Sequence, residues 1–204
     1  MVRMRFALAT APTAEPVTSA ELAAQCRIGS AEATAEATYI AALIKAARTR
    51  AENLCGPIMS QVWDGYLDGW PRGDVITIEK PRATAITSIK YTPEDAAVAS
   101  TLSAADYTTD FVSHYARIRL RDGKSWPSDT LERLNPIVIR FTAGYAPGEG
   151  TGHEADNVPP GLKQAILFLA GHWYDTRTMV ADGQIAEIPQ TFTDLIADYR
   201  EWGF

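Results

Sequence analysis

The apolar residues of this chain change their spacing twice, and that change limits the folds open to it. Ile40, Leu43, Ile44, Ala47, Ala51 and Leu54 recur every three or four positions, the spacing of one helical face. Through the middle, residues 75–79, 117–121 and 137–141 alternate or nearly alternate apolar with polar, as half-buried strands do. Beyond Pro159 and Pro160, a helix-start signal, Leu162, Ile166, Leu169 and Trp173 return to helical spacing, followed by Phe192, Leu195, Ile196 and Tyr199. Helical stripes at both ends of a chain must bury each other, so the strands between them form an insertion. The spacing predicts an α+β fold: a helical bundle from the N- and C-terminal segments with an inserted antiparallel β-sheet or small sandwich.

Local signals place the boundaries. Thr18-Ser19-Ala20-Glu21 has the pattern of a capping box opening a short helix that Gly29 ends. A second helix is expected from about Ser30 to Cys55, a rod of roughly 39 Å, stopped by Gly56 and Pro57. Residues 61–67, 85–91 and 107–112 are further strand candidates, separated by turn residues such as Gly69-Trp70-Pro71 and Asp122-Gly123. Residues 1–14 read as a flexible arm, 15–59 and 145–204 as the helical bundle, and 60–144 as the inserted β domain. Arginines ahead of the apolar start hint at a secretory signal, but the apolar run is shorter than the ~7–15 residues such signals use.

Composition bears on what the fold can do. A net charge of −6 disfavours a general nucleic-acid coat, which needs clustered Lys and Arg. No apolar run approaches the ~20 residues that span a bilayer, so no membrane partner is expected. Two cysteines, Cys26 and Cys55, are too few for a disulfide framework or a zinc site, and both read as buried free thiols. The sequence has no phosphate loop ending in Lys-Ser or Lys-Thr, no G-x-S-x-G and no H-E-x-x-H, so neither an enzyme nor a cofactor is expected.

Three constellations carry candidate function. Arg117, Arg119 and Arg121 share one strand face at about 6.7 Å intervals, either paired with carboxylates such as Glu79 or Glu132, or meeting a neighbouring subunit or nucleic acid. Tyr199, Trp202 and Phe204 concentrate aromatic surface near the C-terminal end, to fold back on the bundle or to anchor in a partner. His153-Glu154-Ala155-Asp156 is the one cluster with a metal flavour, and a solvated loop explains it better than a metal-dependent hydrolase site. His172 reads as a packed helical residue, and Asp64 with Asp68 as an exposed acidic row.

Several stretches together resemble one family. Glu15-Pro16-Val17-Thr18-Ser19-Ala20-Glu21-Leu22 is similar to its "PVTLAE" helix start, and Arg48-Thr49-Arg50-Ala51-Glu52-Asn53-Leu54-Cys55-Gly56 to the end of its long helix. "WDGYLDGWP" from Trp63 resembles its first strand and turn, and Gly123-Lys124-Ser125-Trp126-Pro127 its "G-K-S-W-P" turn. "VIRFTAGY" from Val138 and "VPPGLKQAILFLAGHWY" from Val158 resemble its following strand and helix. The family is that of the head–tail connector (adaptor) proteins of tailed bacteriophages, prophages and gene transfer agents.

The resemblance implies a structural ring subunit, typically one of twelve, made in the host cytoplasm and resident at the head–tail interface of the virion. Its partners would be the portal protein, a stopper or tail-completion protein, and copies of itself. DNA would pass through the channel without sequence-specific binding. In related adaptors the C-terminal tail commonly reaches the portal, which would assign Tyr199, Trp202 and Phe204 to portal binding and leave Arg117, Arg119 and Arg121 for a subunit or channel contact. The nearest alternative is a stopper or tail-completion protein, one layer further from the capsid.

Overall fold

A computed structural model describes residues 3–96, 98–148, 155–176, 180–181, 184–185 and 189–200. It divides into two compact units: Met1–Pro12 with Ser60–Gly144, and Thr13–Met59 with Tyr145–Phe204. The first is the β unit and the second the helical unit, each with its own apolar core. The fold class is the α+β arrangement expected from the periodicities.

In the β unit, strands β1 (Arg5–Thr10), β2 (Gln61–Leu67), β8 (Ile137–Ala143), β4 (Ala83–Tyr91) and β5 (Ser100–Thr101) form one sheet in that order. A second sheet has the order β3 (Val75–Pro81), β7 (Tyr115–Leu120), β6 (Tyr107–Asp110). All neighbours are antiparallel. Alternation makes the core: Ile76, Ile78, Ala116 and Ile118 from the smaller sheet join Ile89, Ile137, Ile139 and Phe141 from the larger, all buried in one cluster. Their polar alternates, among them Thr77, Glu79, Arg117 and Arg119, are exposed.

The expected flexible arm over residues 1–14 is corrected here. Arg5–Thr10 is an ordered edge strand paired with β2 along its length. Met4 is buried against Gly65, where even a Cβ would lie 2.6 Å from the methionine sulfur. Phe6 meets Phe141 edge-on at 6.0 Å. Met4 and Phe6 are therefore the inward residues of a period-2 pattern that holds the segment down.

In the helical unit, α1 (Ser19–Gln25) begins at the expected capping box: the Glu21 N–H donates to the Thr18 hydroxyl at 3.1 Å, and the Thr18 N–H to the Glu21 carboxylate at 2.6 Å. The single rod expected from Ser30 to Cys55 is instead two helices, α2 (Ser30–Ala35) and α3 (Ala37–Cys55). Glu36 leaves helical geometry between them, and its carboxylate accepts the Tyr174 hydroxyl at 2.6 Å. Helix α2 buries no residue fully and meets the core only through half-buried Ala33. Helix α3 ends at Gly56, whose φ of 79° suits glycine.

Helix α4 (Pro160–Asp175) buries Leu162, Ile166, Leu169 and Tyr174, and α5 (Gln190–Ala197) buries Phe192 and Ile196. These join Leu22 of α1 and Ile40, Ile44, Ala47 and Ala51 of α3 in one core. Cys55 is buried, with its thiol donating to the Ala51 carbonyl, and Cys26 is half-buried against Gly171. Burial raises the Cys26 pKa, with the nearby Asp175 charge adding to it. Between α4 and α5 lies a two-stranded ribbon, β9 (Val180–Ala181) with β10 (Gln184–Ile185). No helix among the described residues is long and apolar enough to cross a membrane.

Candidate interaction surfaces

The arginine row sits on the outer face of β7, where alternation puts it. Each of its first two members is already engaged. Arg117 makes two bonds to Asp110, at 2.6 and 3.0 Å, across the β6–β7 hairpin where the two residues are in register. Arg119 reaches Asp74 at 2.9 Å. The carboxylates are thus Asp110 and Asp74, not Glu79 or Glu132. The Arg117 guanidinium holds the Asp110 pKa far below the usual carboxylate range, assisted by the Ser113 hydroxyl and the backbone N–H groups of Val112 and Ser113. Arg121 is exposed and forms no ion pair among the described residues. It borders a groove of about 530 Å³ between β4 and β6, lined also by Thr84, Ala85, Ile86, Tyr107 and Phe111.

Asp64 and Asp68 do not form the exposed acidic row expected of them. Asp64 is buried and takes a two-pronged contact from Arg140, its cross-strand partner, with both bonds at 2.8 Å. Asp68 accepts from Arg5 and from the Asn135 N–H. Both carboxylates are thus engaged in contacts that hold distant parts of the β unit together.

Aromatic residues of two quoted motifs meet. Trp70, in the turn after β2, stacks on Trp126 with ring centroids 4.8 Å apart and planes within 6°. Tyr91 packs edge-on to Trp70, and the Trp126 indole N–H donates to the Gly73 carbonyl at 2.7 Å. Separately, the Lys80 ammonium lies 3.5 Å from the centre of the Trp63 ring. The "G-K-S-W-P" turn therefore works as an apolar clamp on the turn following β2.

The helical unit contains a buried charge cluster that reading the sequence by faces missed. Arg48, only 4% exposed, donates to Glu15 at 2.6 Å and to Glu52 one helical turn away. Glu52 also accepts the Ile58 N–H at 3.0 Å. Burial by itself would lower the Arg48 pKa, but the bonds and charges of Glu15 and Glu52 outweigh it and raise the value. The cluster fixes the chain before α1 and the chain after α3 to the same helix. Its i,i+4 half was visible in the motif; Glu15 was not.

Tyr199 is half-buried and lies on Gly161 of α4, where an added Cβ would sit 3.0 Å from the tyrosine oxygen. It thus belongs to the bundle, whereas Trp202, Phe204 and His153 lie outside the described residues. His172 is half-buried on α4. Among the described residues no group of three or more His, Cys, Asp or Glu could hold a metal ion.

Comparison with known proteins follows the same lines. Residues 85–200, more than half of the chain, match the family model described as phage gp6-like head-tail connector protein. No curated protein matches the chain. Among solved structures, a chain from the neck of an empty GTA particle computed with C6 symmetry is similar with TM-score 0.76 and 23% identity, covering 98% of this chain and 97% of that one. A chain from the virion of a native gene transfer agent (GTA) particle gives 0.75 and 22%, over 98% and 96%. One from the neck of a native GTA particle computed with C12 symmetry gives 0.62 and 19%, over 100% and 97%.

Proposed function

Because this chain belongs to the phage gp6-like head-tail connector family, we propose that it is the adaptor of a virion neck, a subunit that closes into a ring beneath the portal, lengthens the DNA channel and offers the next layer a docking surface. The observation that carries the reading is likeness along the whole chain to chains of GTA particle necks, in reconstructions computed with C6 and C12 symmetry. Rotational symmetry of that kind is what heterologous contacts between identical subunits produce on closing.

The surface chemistry suits such a ring. A net charge of −6 gives passing DNA nothing general to adhere to. Arg117 and Arg119 are neutralised by Asp110 and Asp74, so of the row only Arg121 is left to meet a neighbour or the channel. The aromatic tail, with Trp202 and Phe204, is assigned to the portal, while Tyr199 anchors its root on α4.

Electron microscopy of the full chain mixed with its portal tests the reading, with a ring seated on the portal as the expected result. Co-purification with the tail tube and not with the portal would instead make it a stopper or tail-completion protein. A chain ending after Arg200 keeps Tyr199 in place, and should fold normally and lose portal binding. Portal binding that survives this truncation removes the tail from the interface.

A further inference from the structure

The two margins of the five-stranded sheet differ in a way that suits them to each other. At one margin β1 leaves its outer backbone edge unpaired among the described residues, over six positions, Arg-Phe-Ala-Leu-Ala-Thr. Natural sheets blunt such edges with lysine, proline, bulges or short strands. The other edges are so treated: β3 ends in Glu79-Lys80-Pro81, β6 has four residues and β5 two. β1 contains neither lysine nor proline, its bulge falls only at its far end, between Leu8 and Thr10, and Leu8 is 47% exposed.

At the opposite margin β5 covers β4 only at Lys90 and Tyr91, with one further bond from the Leu102 N–H to the Ile89 carbonyl. Residues 83–88 therefore have no partner strand on their outer side among the described residues, a stretch that matches β1 in length and bends at two register shifts against β8, between Ala83 and Ala85 and between Ile86 and Ser88. Thr84, Ala85 and Thr87 are exposed there, and the groove beside them is walled by Ile86, Tyr107 and Phe111.

Strand direction decides whether the margins can join. β1 with β2, β2 with β8 and β8 with β4 are each antiparallel, so β1 and β4 run in opposite senses. A rotation about an axis along the strands preserves those senses. The β1 of a rotated copy would therefore lie antiparallel to β4, continuing the sheet's alternation without a reversal. Four long strands per copy, an even number, let that alternation close around a ring of any size.

We propose that β1 of one copy pairs with residues 83–88 of β4 in the next copy, with Leu8 seated in the groove of Ile86, Tyr107 and Phe111. The inference rests on the ring reading above and adds the contact that closes it. One six-residue strand pair is a weak contact alone, and ring closure supplies the avidity.

Cysteine pairs test it in the full chain assembled with its portal: Ala7→Cys or Ala9→Cys combined with Ala85→Cys or Thr87→Cys, with each single variant as control. On mild oxidation at least one pair should give a covalent ladder that rises to the full ring, while the single variants stay at background. Leu8→Lys, on an already exposed side chain, should leave the monomer's melting curve unchanged and lower the ring fraction at least tenfold. Rings that form with no ladder from any pair, or with wild-type yield in Leu8→Lys, overturn this contact and leave the ring reading intact. Absence of any ring, with wild-type chain and portal both folded, removes the ring reading and this contact together.

Discussion

Arg48 in the helical unit and Arg117 in the β unit each hold carboxylates at about the same distance, yet the two contacts have different consequences. Arg48 is surrounded by protein, and its partners also secure the backbone on either side of α1 and α3. Arg117 lies on an open sheet face with its side chain 56% exposed, where water competes for both charges. Losing one partner of a buried pair strands the other in a low-dielectric setting; losing one on the surface returns the other to solvent. The contrast separates residues that hold the fold from residues the fold presents.

The most severe test of that contrast is Arg48→Met, which leaves Glu15 and Glu52 facing each other with no cation. It should cost about 3 kcal/mol or more in a urea titration, while Arg117→Met leaves the midpoint where it was. Equal midpoints for the two variants would collapse the distinction. Next in size is Trp126→Ala, which deletes the stack on Trp70 and the bond to the Gly73 carbonyl. About 2 kcal/mol should be lost, with Trp126→Phe recovering the part due to stacking.

Smaller again is Thr18→Ala, which removes the N-cap of α1 for about 1 kcal/mol, read from the same titration. The smallest effect is a pH dependence. The Thr18 backbone bond holds the Glu21 pKa below its ordinary 4.5, although burial opposes it and the Thr18 hydroxyl and Lys163 assist. The proton is bound more weakly in the folded chain, so this stabilisation is complete above pH 4.5 and fades as the pH falls through the lower folded value. Glu21→Gln should flatten that part of the acid limb and lower neutral stability by the same small amount, bringing it to the level the wild type has in acid.

Much of the architecture was legible because burial enforces period. Strands such as β7 and β8 and helices such as α3 and α4 carry enough inward residues to declare their type. β1 has only Phe6 and, just ahead of it, Met4 as inward anchors, and arginines ahead of apolar residues made the segment resemble a targeting signal or an arm. The break at Glu36 was hidden because no glycine or proline marks it; the hydroxyl that meets its carboxylate there, Tyr174, lies 138 positions away.

Contacts followed the same rule. Arg48 with Glu52 is readable at i,i+4, and Asp110 with Arg117 from the register of a short hairpin. Arg119 with Asp74 and Arg48 with Glu15 join distant segments whose meeting only the folded chain supplies. The motif stretches, by contrast, pointed to the connector family before any contact was known.

The chain passes between the two units three times, after Pro12, after Met59 and after Gly144. Every residue of the β core has been synthesised once Gly144 is made, whereas the other core still awaits Val158, Leu162, Ile166, Leu169, Phe192 and Ile196. On the ribosome, α1 to α3 must therefore wait with their apolar faces uncovered while the β unit, begun first by β1, closes. The unit begun second is also completed last, and a fragment released at residue 144 would present chaperones with uncovered helices rather than strands.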